Sequence, residues 1–200
     1  MDGPSRRVWV CRPTRPALVL GSTQDPSILD SRAVARAGVD VVRRASGGGV
    51  VLVVPGSMVW VDLAIPAGDP LWEADVGKAF WWVGDLWAAA LTDLGQGPCQ
   101  VHRGGLEPSP WSRLICFAGL GPGEVTVEGR KAVGLSQRRT RAGAVFHGAV
   151  LLELRARQLV DLLALAPADQ DRAALALEAG VVAPPVPCTD LESALVDHLP

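Results

Sequence analysis

Lysine is nearly missing from this chain. Of its nineteen basic residues only Lys78 and Lys131 are lysines, and the rest are arginines. Solvating positive charge is supplied by arginine throughout, so a retained lysine points to a place where a compact ammonium is wanted instead of a broad planar guanidinium. Other absences narrow the function further. Cys11, Cys99, Cys116 and Cys188 lie far apart with no CxxC pair, so neither a zinc site nor a disulfide framework is indicated and reduced thiols are expected. The segment from Met1 to Arg7 has no apolar signal-peptide core, and no run reaches the ~18 uncharged apolar residues of a membrane span. The expected location is therefore the cytoplasm, away from any membrane. A formal charge of -2 and a pI near 5.9 give no general basic field, which argues against nucleic acid as a partner.

What is present is apolar content of 48% in 200 residues, enough for one packed core in a single domain spanning 1–200. Val8 to Cys11, Ala17 to Leu20, Val39 to Val42, Val50 to Val54 and Met58 to Leu63 read as strands. The last two are joined by Pro55-Gly56-Ser57 and are expected to form a hairpin. Ser27 to Ala37 reads as a short helix. Apolar residues recurring from Leu71 to Leu94 at three- and four-residue steps predict one long amphipathic helix over 70–94. Gly97 to Trp111 reads as a loop. Leu114 to Phe117, Glu124 to Val127, Lys131 to Val133 and Val145 to Leu152 read as strands. Helices are expected around 155–165, 169–179 and 191–199. Strands in the middle and helices apart from them predict an α+β fold with a largely antiparallel mixed sheet flanked by helices, with its core at about 8–155 and C-terminal helices at about 155–200.

Two segments carry chemistry. Arg43-Arg44-Ala45-Ser46-Gly47-Gly48-Gly49 lies between two strands, where three glycines let a peptide backbone approach a ligand and the paired guanidinium groups face an anion. It is neither a Walker loop nor a dinucleotide fingerprint. The second is Gly129-Arg130-Lys131-Ala132-Val133-Gly134-Leu135-Ser136-Gln137, followed by Phe146-His147-Gly148. His147 alone reads equally as a structural histidine and as a ligand contact. Cys116, in Ile115-Cys116-Phe117, reads as a small core residue or as a nucleophile.

Together with Leu18-Val19-Leu20-Gly21-Ser22-Thr23-Gln24, these segments resemble the catalytic domain of the lipoate-protein ligase A family, which is related to biotin-protein ligases and octanoyltransferases. The resemblance covers about residues 8–155. It implies attachment of a lipoyl or octanoyl group to a lysine of an acceptor domain, such as a 2-oxoacid dehydrogenase E2 component or the glycine-cleavage H protein. In a ligase the substrates are lipoate or octanoate and ATP with Mg, and the intermediate is an acyl-adenylate. Arg44, Ser46, Gly47, Gly48 and Gly49 would border the acyl and adenylate groups, Lys131 would neutralise carboxylate and phosphate oxygens, and Gly134, Ser136, Gln137 and His147 would add contacts. No protein metal ligands are implied.

The alternative within the resemblance is an ATP-independent octanoyltransferase in which Cys116 forms an acyl-thioester and Lys131 favours the thiolate. A non-catalytic member that binds a ligand or an acceptor domain is the third possibility. Two departures stand out: Gly134-Leu135-Ser136-Gln137 replaces Gly-Ser-Ala-Gln, and Val53-Val54 replaces a His-Asp pair. No full accessory domain is evident after residue 155; some ligases need one for adenylation, and in some it is a separate chain, which makes such a chain a candidate partner.

Overall fold

A computed structural model describes residues 5 to 200. Nine strands form two sheets. The larger has six antiparallel strands in the order β1-β5-β9-β8-β7-β6, and the smaller has three in the order β3-β2-β4. The larger is built from β1 (Arg7–Cys11), β5 (Met58–Pro66), β6 (Cys99–Val101), β7 (Val125–Val127), β8 (Arg130–Thr140) and β9 (Gly143–Leu151). The smaller comprises β2 (Ala17–Leu20), β3 (Asp40–Arg43) and β4 (Val51–Val53), with β2 parallel to β3 and antiparallel to β4. The fold is α+β, with helices flanking a largely antiparallel sheet.

The strands alternate as half-buried strands must. Along β9, Ala144, Phe146 and Val150 enter one core with Val59, Val61 and Leu63 of β5 and with Val83, Trp87 and Leu91 of helix α2 (Trp81–Asp93). Helix α5 (Cys188–Asp197) adds Leu191 and Leu195 to that side. The buried Trp87 indole lies over Gly148, where a Cβ would sit 2.4 Å from its Nε1. Only a glycine lets helix and sheet approach this closely. The opposite face carries the small sheet with helices α1 (Ser31–Ala37), α3 (Ala156–Val160) and α4 (Pro167–Gly180), whose core includes Leu18, Leu20, Val50, Leu52, Ile115, Leu159, Leu163 and Leu177. Val19, Val53 and Met58 join the two sheets along a seam.

Several expectations are corrected. The helix over 70–94 is confined to Trp81–Asp93, after a turn of 3-10 helix at Lys78–Phe80. The reason is local: the carboxylates of Asp69, Glu73 and Asp75 accept backbone N–H groups two or three residues on, from Leu71, Asp75, Gly77 and Lys78. These bonds compete with a helical ladder. β4 and β5 form no hairpin; β4 pairs with β2, and β5 pairs with β1 and β9. The turn between them, closed by Ser57 N–H to the Val54 carbonyl at 3.1 Å, carries the chain from one sheet to the other.

The expected strand at 114–117 is a single bridge between Ile115 and Val50 followed by a 3-10 turn at Cys116–Ala118. The loop over 97–111 contains β6 at its start, and the strand at 131–133 extends to Thr140. The helix around 155–165 is only five residues long, and the one before Ala37 begins at Ser31, capped by the Asp30 carboxylate.

Candidate active site

A small, half-open cavity lies in the seam between the sheets. Val19, Val51 and Val53 of the small sheet form one wall, Met58, Trp60, His147 and Ala149 of the large sheet form the other, and Arg44, Cys116 and Ser136 are the polar groups around it. Its lining is almost wholly apolar, with a few polar groups among it, the composition of a small-molecule site.

The three sequence segments meet here. The Gly47–Gly49 turn packs on Gly21, where a Cβ would lie 1.9 Å from the Gly48 carbonyl oxygen. The Gln24 side chain ties the same corner together, accepting from Gly21 N–H at 3.0 Å and donating to the Leu114 carbonyl at 2.9 Å. Ser46 is buried and shares a hydrogen bond with the Ser136 hydroxyl at 3.0 Å, which fastens the glycine turn to β8. The Arg44 guanidinium closes the turn from within, donating to the carbonyls of Val19, Gly47 and Gly49 at 3.2, 2.8 and 2.9 Å. Gly48 has φ of +99°, and a Cβ there would lie 2.8 Å from an Arg44 nitrogen and 3.8 Å from Cys116 Sγ. The backbone of Gly48 is thus held between the guanidinium and the thiol.

Arg43 does not join Arg44 at the cavity. Its guanidinium donates to the carbonyls of Gly21, Ser22 and Gln24 and so staples the 21–24 loop.

Lys131 reaches this face because of an irregularity in β8. Val133 faces Val125 and Lys131 faces Thr126, which leaves Ala132 as an extra residue between them. The bulge turns Lys131 to the side of Gly134 and Ser136, whereas strict alternation would have put it with Val133. Its ammonium does not line the cavity. It is buried against the Glu124 carboxylate at 2.6 Å and donates to the Gly119 carbonyl at 2.8 Å and the Cys116 carbonyl at 3.1 Å. The Phe117 ring, 5.1 Å from Nζ, lies beside it. Phe117 in turn packs on Gly134, where a Cβ would come within 2.9 Å of the ring.

His147 projects into the cavity from β9 opposite both Asp62 and Ser136. A ring nitrogen lies 2.8 Å from an Asp62 oxygen that also accepts the Trp60 indole N–H at 2.6 Å. This arrangement orients the imidazole ring. Gln137 is not brought to the cavity: it faces Phe146, on the side covered by α2, and both polar atoms of its buried amide are without a hydrogen-bond partner among the described residues.

Sequence reasoning passed over Asp62, Trp60 and Glu124. A carboxylate in the middle of the apolar run of β5 was the available signal for Asp62. Cys11 stands on β1 opposite Trp60. Burial, aided by the Asp62 carboxylate, pushes its thiol up to about 11, which favours the protonated form at neutral pH. Among the described residues no three His, Cys, Asp or Glu side chains converge to hold a metal ion, and no helix is long and apolar enough to cross a membrane.

This architecture is that of lipoate-protein ligases of known structure. A bipartite lipoate-protein ligase of Thermoplasma acidophilum, solved in work on that enzyme and its E2 lipoyl domain, superposes with a TM-score of 0.76 over 98% of this chain and 70% of its own, at 16% identity. Lipoate-protein ligase A bound with ATP gives 0.71 over 98% and 72%, also at 16% identity. The chain belongs to the family described as the lipoyl protein ligase A/B catalytic domain, whose model matches residues 2–184. It is also 29% identical over 164 residues to the octanoyltransferase LipM of Moorella thermoacetica, covering 80% of this chain and 58% of that protein. The chain thus spans somewhat more than half the length of that relative.

Proposed function

We propose that the protein transfers an octanoyl or lipoyl group to a lysine of an acceptor domain through a thioester on Cys116, without ATP. The observation that carries this reading is the place of the thiol: Cys116 lines the apolar cavity between the sheets, beside Gly48 and on the face that presents His147. The likeness to an octanoyltransferase supports it.

In the first step the Cys116 thiolate attacks the thioester carbonyl of an acylated carrier protein. The carbon–sulfur bond to the carrier breaks, and the carrier leaves as a thiol after taking up the proton that Cys116 gave to His147. The peptide N–H groups of the Gly47–Gly49 turn meet the oxyanion. In the second step the acceptor lysine, as a free amine, attacks the Cys116 thioester, an amide forms, and Cys116 leaves. His147, held by Asp62, takes the amine's proton. Lys131 acts from behind, through the carbonyl of Cys116. The acceptor is an E2 lipoyl domain or a glycine-cleavage H protein.

A second reading is an ATP-dependent ligase forming an acyl-adenylate, favoured by the backbone approach offered at Gly47–Gly49 beside the acyl cavity. There Lys131 would have to leave Glu124 to meet the carboxylate and phosphate. Incubation of the protein and an acceptor domain with octanoyl carrier protein, or with octanoate, ATP and Mg, separates the two. A mass increase on the acceptor from the carrier donor alone supports the thioester route, an increase that needs ATP supports the ligase, and none with either donor, with and without an added accessory chain, removes both. A ligase that works only when a separate accessory chain is added would show itself in the same assay.

A further inference from the structure

Glu124 is among the most deeply buried charged residues of the described chain, at 4% exposure, equal to Lys131. A buried carboxylate persists only where its lone pairs are met. Both oxygens of Glu124 are engaged: one accepts the Gly121 N–H at 2.6 Å and faces the Lys131 ammonium at 2.6 Å, and the other accepts the Leu135 N–H at 3.0 Å. Leu135 N–H lies on the edge of β8 past the end of β7, which pairs only as far as Val133. Glu124 thus substitutes for a missing strand residue. All three ammonium protons of Lys131 have acceptors, one on Glu124 and two on the carbonyls of Cys116 and Gly119.

One carboxylate and one ammonium therefore bind both ends of the 116–124 segment to β8. That segment carries Cys116 and Phe117 into the cavity and is pressed from behind by α2, where a Cβ on Gly84 would meet the Gly123 carbonyl oxygen at 2.2 Å. The pair is electrically closed: no unbalanced charge remains at the Cys116 peptide. The other charged or titratable groups around the thiol are Arg44, turned onto carbonyls of the glycine turn, and His147, held by Asp62.

We propose that Glu124 is a positioning residue that holds the Lys131 ammonium against the backbone of Cys116 and sets the charge that the thiol experiences. The proposal rests on the reading of Cys116 as the acyl-accepting group. Removing one member of the pair should then change thiol reactivity in a direction that depends on which charge remains.

The test is the rate at which Cys116 is alkylated by iodoacetamide, a neutral reagent, at pH 7, followed by mass spectrometry of the peptide that carries it. Glu124→Gln leaves an unbalanced ammonium and should raise the rate by about threefold to tenfold. Lys131→Met leaves an unbalanced carboxylate and should lower it by a similar factor. The double variant Glu124→Met with Lys131→Met restores neutrality in a dry site and should return the rate to within about twofold of wild type. Simple loosening of the loop would raise all three rates, and that result, or three unchanged rates, overturns the proposal. Should a single variant fail to fold, the double variant with the remaining single still decides, because the two are expected to differ in rate. Octanoyl transfer by the wild type, measured alongside, reports on the proposed function: no transfer with a normal alkylation order would remove that reading and leave the placement of Glu124 standing.

Discussion

The peptide of Gly49 lies against that of Cys116 so closely that a Cβ on the glycine would sit 2.6 Å from the Cys116 nitrogen and 2.6 Å from the Ile115 carbonyl carbon. The thiol's place is therefore set by backbone packing, with Cys116 N–H donating to the Val50 carbonyl at 3.1 Å and Val50 N–H to the Leu114 carbonyl at 2.8 Å. Neither backbone yields as a side chain would.

Gly49→Ala should displace Cys116, cut acyl transfer more than tenfold and destabilise the fold by about 1–3 kcal/mol. Gly47→Ala, where a Cβ meets nothing within 4 Å, should keep wild-type stability. Denaturant melts of the two variants, with transfer assays on the first, check the pair.

If the cavity holds the acyl chain, its wall at Ala149 should govern chain length. Ala149→Leu fills part of the slot between Trp60 and Met58 and should favour a butyryl over an octanoyl donor by about tenfold or more, since a cavity that must repack around added methylenes gives up 1–3 kcal/mol, as an order of magnitude. Competition between the two thioester donors gives the ratio directly.

The contact between Asp62 and His147 should matter more for the second chemical step than for binding. Asp62→Asn still offers an oxygen to the Trp60 indole but loses the charge that orients the imidazole. Single-turnover transfer from the acylated protein to the acceptor should slow by about a hundredfold, with the acceptor KM little changed.

Helix α1 gives a pH test of the fold. Backbone N–H groups of Ala33 and Arg32 donate to the Asp30 carboxylate and hold it below the usual carboxylate range. A carboxyl group lowered in the folded state contributes stability above its unfolded value, about 3.9, and that contribution is lost as pH falls through the folded one. The gap in Tm between wild type and Asp30→Ala should be constant near neutral pH and shrink below about pH 4. Thermal melts across that range would show it.

Glycines beside basic residues form a local pattern, which made the strings at 43–49 and 129–137 readable, and 18–24 was readable through the family resemblance; the structure packs all three at one seam. What lay beyond reading was long-range. Nothing in the sequence near His147 announces Asp62, eighty-five positions away, because their meeting depends on the β5 and β9 register. The β4 and β5 runs look like a hairpin, since a Pro-Gly turn reads the same whether the strands pair or part into two sheets. Ser136 and Gln137 were adjacent in the motif, yet alternation sends one to the cavity and the other to the α2 side. Lys131 needed the opposite correction, because the bulge at Ala132 breaks that alternation and no periodicity reveals it. Its ammonium then meets Glu124 instead of an open ligand site, a partner that a string of Gly-Pro-Gly-Glu gives no reason to expect.

The thioester route requires that Cys116 become acylated. Wild-type protein incubated with octanoyl carrier protein, quenched in acid and examined by intact-mass spectrometry should gain one octanoyl group, located on Cys116, removed by neutral hydroxylamine and passed to the acceptor lysine on mixing. Cys116→Ser should gain none. If Cys116→Ser transfers octanoate as fast as wild type, and no acyl-enzyme accumulates in either, the thioester account is wrong.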